Sequence, residues 1–131
     1  MSADKFQTRQ VLDSITKKII GCIYKVSNTL GSGFLEKAYE NALAIEIRKA
    51  GLKVEQQHGI KVKYDGTIVG EFAADLLIEE SVLVELKAAK ALDDAHMSQC
   101  LNYLKATGLA VCLLVNLGKP KVEIKRIVNN F

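Results

Sequence analysis

Residues 72–88, FAADLLIEESVLVELKA, decide how this chain folds. They read as two β-strands joined by a tight turn. The first ends near Ile78, Glu79-Glu80-Ser81 turns the chain, and Val82 to Lys87 runs back. With the turn centred on Glu80, Asp75 lies opposite Glu85 and Leu77 opposite Leu83, because strand side chains alternate with a period of two. Lys87 falls beside Glu85 along the strand. Leu76, Ile78, Val82, Val84 and Leu86 leave these strands otherwise apolar on both faces, which places them inside a sheet. Cross-strand partners sit only ~5 Å apart, where like charges repel. Two carboxylates and an ammonium in such a place call for a divalent cation, held by the acids with the lysine beside it.

Outward from this hairpin the chain divides into recognisable elements. Lys53 to Tyr64 alternates loosely, and Asp65-Gly66 is a strong hairpin signal before a strand from Thr67 to Ile78. Upstream, Thr8 to Leu30 carries Leu12, Ile15, Ile19, Cys22 or Ile23, Val26 and Leu30 at steps of three and four, the pattern of an amphipathic helix. Gly31-Ser32-Gly33 breaks it, and lacks the spacing of a phosphate loop. A second helix is expected from about Phe34 to Ala50. Its stripe of Glu36, Tyr39, Leu43, Ile47 and Ala50 turns Glu36 toward the core, whereas Glu40 and Glu46 read as solvated acids.

Downstream, Asp93-Asp94 caps a helix that ends near Thr107-Gly108, with Leu92, Met97, Leu101 and Leu104 as its core face. Gln99 and Tyr103, four apart, share another face of it and can reach the same point in space. Leu109 to Leu117 is a continuous apolar run, as expected of a strand covered on both sides. Lys119-Pro120 turns the chain into a final edge strand from Lys121 to Val128. The order α-α-β-β-β-α-β-β predicts an α/β fold, a mixed central sheet flanked by helices.

Asp75…Glu85-Leu86-Lys87 resembles the active-site core of the PD-(D/E)XK nuclease superfamily. Two further elements accompany it. Gly33-x-x-Glu36-x-x-Tyr39 is similar to the pattern that names the superfamily's GxxExxY family, and Gln99-x-x-x-Tyr103 resembles the helical element of its RecB-like members. Ala74 stands where the superfamily's proline often does. The resemblance runs from Gly33 to about Gly118 and implies a restriction-endonuclease-like α-β-β-β-α-β core, in agreement with the element order.

It further implies that Asp75 and Glu85 hold Mg²⁺ or Mn²⁺, with the Leu86 backbone carbonyl as an added ligand and Glu36 completing the site. Lys87 is then the group that activates water, and Gln99 and Tyr103 position the scissile phosphate. The expected substrate is nucleic acid, DNA ahead of RNA. Two rivals stand beside the enzyme: a nucleic-acid-binding or regulatory protein that has lost turnover, and an oligomeric interaction module in which the acids form a structural ion site.

Length and charge are compatible with this. The 131 residues suffice for one domain with its own core, and the first helix is expected to pack on that core. No apolar run reaches the ~20 residues of a membrane span, and no secretory leader is expected at the first residues. Cys22, Cys100 and Cys112 read as free thiols of a cytoplasmic protein, and His58 and His96 as solvated side chains. Net charge is +3. Residues 1–35 carry five cations against two acids and residues 118–131 four against one, so the middle, which holds the site acids, is negative. Basic flanks around an acidic centre suit a metal enzyme acting on a polyanion, and a homodimer is allowed.

Overall fold

The computed structural model describes residues 2–130. Its elements are α1 (Ser2–Leu30), α2 (Glu36–Lys49), β1 (Val54–Tyr64), β2 (Thr67–Ile78), β3 (Val82–Lys87), α3 (Asp94–Thr107), β4 (Val111–Asn116) and β5 (Glu123–Val128). The strands form one sheet in the order β1-β2-β3-β4-β5. All neighbours are antiparallel except β3 and β4, whose parallel pairing is made possible by the α3 crossover. This is the mixed, helix-flanked sheet of the restriction-endonuclease-like fold. Among the described residues no helix is long and apolar enough to cross a membrane.

Helices cover both faces. Ile19, Ile23 and Val26 of α1 and Leu43 and Ile47 of α2 pack on Leu76, Ile78, Val82, Val84, Leu113 and Val115. On the other side Cys100, Tyr103 and Leu104 of α3 meet Leu77, Leu83, Cys112 and Leu114. Each fully buried leucine or isoleucine contributes about 1.5–3 kcal/mol, so the stripe of α1 is a large share of what holds that helix down. On α3 the core face is turned from the expected one: Cys100 and Tyr103 are buried while Leu101 is only partly so. Asp93 caps that helix as expected, and His96 completes a capping box with it rather than being free in solvent. The three cysteines are free. The hydrogen-bonded Cys100 thiol and burial push the Cys112 thiol up, away from the reactive thiolate.

Both hairpin turns are left-handed. Asp65 and Gly66 have φ of 53° and 78°, and Glu79 and Glu80 have φ of 52° and 54°, with the Ser81 N–H donating to the Ile78 carbonyl. Positive φ at both central residues matches the right-handed twist of the flanking strands. The second turn fixes Ile78↔Val82, Leu77↔Leu83 and Leu76↔Val84 as partners, the register expected from the alternation.

The loop between α1 and α2 explains two positions of the Gly-x-x-Glu-x-x-Tyr pattern. Gly33 has φ of 114°, a region closed to residues with a Cβ. Tyr39 is fully buried; its hydroxyl donates to the Gly31 carbonyl at 2.6 Å and accepts from the Phe34 N–H at 3.2 Å. One phenol therefore ties down the turn that sets where α2 starts.

Candidate active site

The pairing of β2 with β3 stops at Leu76↔Val84, while β3 continues beside β4 to Lys87↔Asn116. A fork opens where Asp75 and Glu85 stand. There the two carboxylates replace the missing ladder. Glu85 Oε1 accepts from the Asp75 N–H at 2.9 Å, and Asp75 Oδ2 accepts from the Leu86 N–H at 2.7 Å. Each acid is thus held by the backbone of the opposite strand, with one oxygen of each outside this exchange.

The side-chain alternation reverses at the same point. Leu76 packs under α1 and α2, whereas Ala74, two residues earlier, packs on the α3 side. In a regular strand they would share a face. Opposite Asp75 on β1 stands Gln57, skipped by the pairing and held at φ 55°. A non-glycine residue in that region costs roughly 1–2 kcal/mol. The strain places the Gln57 amide where its Nε2 donates to Asp75 Oδ1 at 3.3 Å and to Glu40 Oε1 at 2.7 Å.

Glu40 is therefore the acid of α2 that reaches the fork, and this corrects the expectation for both glutamates. Glu36 is exposed in the first turn, while Glu40 is 3 % exposed. Its second oxygen accepts from Gln56 Nε2 at 2.7 Å and from Lys37 Nζ at 3.0 Å. Tyr39 takes the core position, and the carboxylate that follows it points along the sheet edge toward Asp75. Glu46 is half-buried and paired with Lys25 at 2.8 Å. Replacing Glu40 by Gln sets an amide against two glutamine amides and is expected to lower stability by about 1–3 kcal/mol. Glu36→Gln is expected to stay within about 0.5 kcal/mol of the parent. Thermal unfolding of the two variants compares them; equal melting temperatures would contradict this assignment.

On the α3 side, Lys87 Nζ donates to Gln99 Oε1 at 3.0 Å, and Gln99 Nε2 donates to the Tyr103 hydroxyl at 3.2 Å. The four-residue spacing on α3 brings amide and phenol together, as expected for one helical face. Asn116, fully buried at the end of β4, fixes the segment just after Lys87. Its Oδ1 accepts from the Ala89 and Gly118 N–H groups, and its Nδ2 donates to the Ala89 carbonyl and to Glu123 Oε1. A Cβ on Gly118 would lie 2.4 Å from the Ala89 nitrogen, so only glycine lets the two segments pass. The lone polar residue in the run LAVCLLVNL was the sequence signal for Asn116.

Burial dominates the electrostatics. It pushes the Glu85 carboxyl up to about 7, and the neighbouring Asp75 charge adds to this; the Asp75 N–H and Lys87 oppose it. Burial also raises Asp75, against the Leu86 and Gln57 hydrogen bonds, and Glu40 pushes both acids further up. Tyr103 is raised by burial and by Glu85. A positive charge arriving between the acids would relieve all three shifts.

Among the described residues no three His, Cys, Asp or Glu side chains already converge as a metal cage. The donors present are two carboxylates, with Glu40 beyond Gln57. A hard cation that keeps several waters and takes one or two carboxylates fits such a set. A separate groove lies at the turn end of the β2–β3 hairpin beside Arg48, Lys53, His58 and Glu79, and contains none of these groups.

The profile of the PD-(D/E)XK nuclease superfamily matches residues 13–127, which include every group at the fork. The chain belongs to this superfamily. Two solved structures share the fold. An alkaline exonuclease (LHK-Exo) from Laribacter hongkongensis aligns with 18 % identity and a TM-score of 0.52, over 72 % of this chain and 56 % of that protein. SSO0001 aligns with 18 % identity and a TM-score of 0.52, over 95 % of this chain and 62 % of its own. The chain thus matches less than two-thirds of either protein's length. A search of curated proteins finds no match. Nucleases of this superfamily generally use divalent metals.

Proposed function

We propose that this member of the PD-(D/E)XK superfamily, of the GxxExxY kind, is a metal-dependent nuclease that hydrolyses phosphodiester bonds of DNA. The observation that carries this reading is the fork itself: Glu85, buried, and Asp75, half-buried, are each held by the backbone of the opposite strand, with Lys87 beside them. Asp75 and Glu85 would hold Mg²⁺ or Mn²⁺, with the Leu86 carbonyl as a further oxygen. Glu40, rather than Glu36, is the acid of α2 that would complete the site, through Gln57 or water. The ion supplies Lewis acidity and a template for in-line attack. Lys87 orients the attacking water and offsets charge gathering on the phosphoryl oxygens. Gln99 holds the Lys87 ammonium in place, and with the Tyr103 hydroxyl it offers donors to the scissile phosphate.

The experiment is a cleavage assay on single- and double-stranded DNA and RNA with Mn²⁺, with Mg²⁺ and with EDTA. Cleavage is expected with either ion, none in EDTA, and none from Asp75→Asn. Cleavage that persists in EDTA would contradict the reading. A wild-type protein that binds these polynucleotides and cuts none of them would instead mark a binding protein on a nuclease fold.

A further inference from the structure

β2 pairs with β3 only from Leu76 to Ile78, so residues 67–74 have β1 as their one neighbouring strand. They form a two-stranded ribbon that runs on from the fork. The ribbon leaves large apolar side chains in solvent, among them Tyr64, Val69 and Phe72. Exposed apolar residues need no special account by themselves. Phe72 differs from the others in what surrounds it.

The Phe72 ring lies 6.1 Å from the Tyr103 ring, tilted by 41°. On its own strand it is folded over Gly70, where a Cβ would stand 2.9 Å from Phe72 Cε2. Gly70 is not among the residues with positive φ, so the backbone there does not require glycine. What the missing Cβ provides is room for the ring. Phe72 nevertheless remains 51 % exposed, while Tyr103 is 8 % exposed. From Tyr103 the contacts run through Gln99 to the Lys87 ammonium. An aromatic ring is thus held in place, with half its surface free, two side chains away from the lysine.

We infer that Phe72 is a stacking platform for the base of a nucleotide next to the scissile phosphate, and that this base is unpaired. The inference rests on the nuclease reading above and adds the state of the substrate strand. An aromatic ring accepts any base, because every base has a π-face, and such stacking is worth ~1–3 kcal/mol per base. Within a duplex both faces of a base are covered, so a base can lie on Phe72 only in a single strand, at an opened end, or flipped out. The substrate is therefore single-stranded at that nucleotide, and its sequence there matters little.

The test uses the full chain and labelled single-stranded 12-mers of mixed sequence, each with one abasic nucleotide at a successive position. Binding is titrated with Ca²⁺, and cleavage is followed with Mn²⁺. The proteins are wild type, Phe72→Leu, Phe72→Trp and Gly70→Ala, the last to push the ring off its seat while keeping it. Thermal unfolding confirms that each variant is folded. Phe72→Leu and Gly70→Ala are expected to weaken binding of the intact strand roughly tenfold, the scale of one stacked base, and Phe72→Trp to keep it. One abasic position should cost wild type a similar factor and cost Phe72→Leu nothing. A merely structural role for Phe72 would weaken all strands alike, wherever the abasic site lies, and that result overturns the inference. Wild-type and Phe72→Leu proteins that cleave with equal KM would overturn it too, while leaving the nuclease reading intact. An abasic position that matters to a protein that cuts nothing would sustain the stacking and remove the nuclease.

Discussion

Lys87→Ala is expected to lower the cleavage rate by at least ~100-fold, the scale of losing one positioned proton-transfer or charge-stabilising group. Lys87 stands at the end of β3 on the same face as Glu85, two residues on, with its ammonium held 3.0 Å from Gln99. Its charge acts mainly as water attacks and negative charge gathers, so its removal should fall on kcat and leave affinity nearly untouched. If Lys87 were one phosphate contact among several, its loss would cost modest affinity and soften the salt dependence by about one contact. Single-turnover cleavage beside a binding titration separates the two. A variant that cleaves as fast as wild type, or that loses only affinity, would contradict the role given to this lysine.

The second large effect is on the metal-free protein. Glu85 is buried and its carboxyl is pushed from 4.5 up to about 7. An acid raised in the folded state keeps a proton that the unfolded chain has released. Stability therefore falls as pH rises from about 4.5 to about 7, and the loss is complete above that window. At about 1.4 kcal/mol per pH unit the cost is roughly 3 kcal/mol. Glu85→Gln keeps an oxygen for the Asp75 N–H and has no charge to desolvate. In EDTA it is expected to unfold at higher denaturant than wild type at pH 8, and at a similar concentration at pH 4.5. A wild-type protein that gains stability between pH 5 and 8, or a variant with the same pH profile, would remove the buried-charge account of the fork.

Much of this was legible in local pattern. The period of two placed Asp75 opposite Glu85, and the 3.6 period placed Leu12, Ile15, Ile19, Ile23 and Val26 in the core. These elements obey one rule along their whole length. The assignments that changed lie where two rules compete. Glu40 sits three and four residues before Leu43 and Ala44, as well aligned with the core as Glu36 is with Tyr39. An apolar stripe covers a wide arc of a helix, so sequence alone could not choose between them. Gln57 was invisible for another reason. Its left-handed backbone and the reversal of alternation at Asp75 follow from packing β1 against a β2 that is leaving β3, a tertiary demand that no local preference encodes. Tyr103 was expected on a face of its helix other than the core face and is buried, because the Phe72 ring and the sheet close over it.

We propose that Asp75 and Glu85 form one cation site in which, without an ion, the two acids repel each other. The most direct measurement is thermal unfolding of wild type and Asp75→Asn across a titration of Mn²⁺. Wild type should be stabilised progressively, by about 2.7 kcal/mol at a hundredfold excess over Kd. Asp75→Asn should start higher than wild type in EDTA, since it removes one of two facing charges, and should show no response to the ion. A variant that starts lower than wild type and is stabilised by Mn²⁺ as strongly would contradict the site.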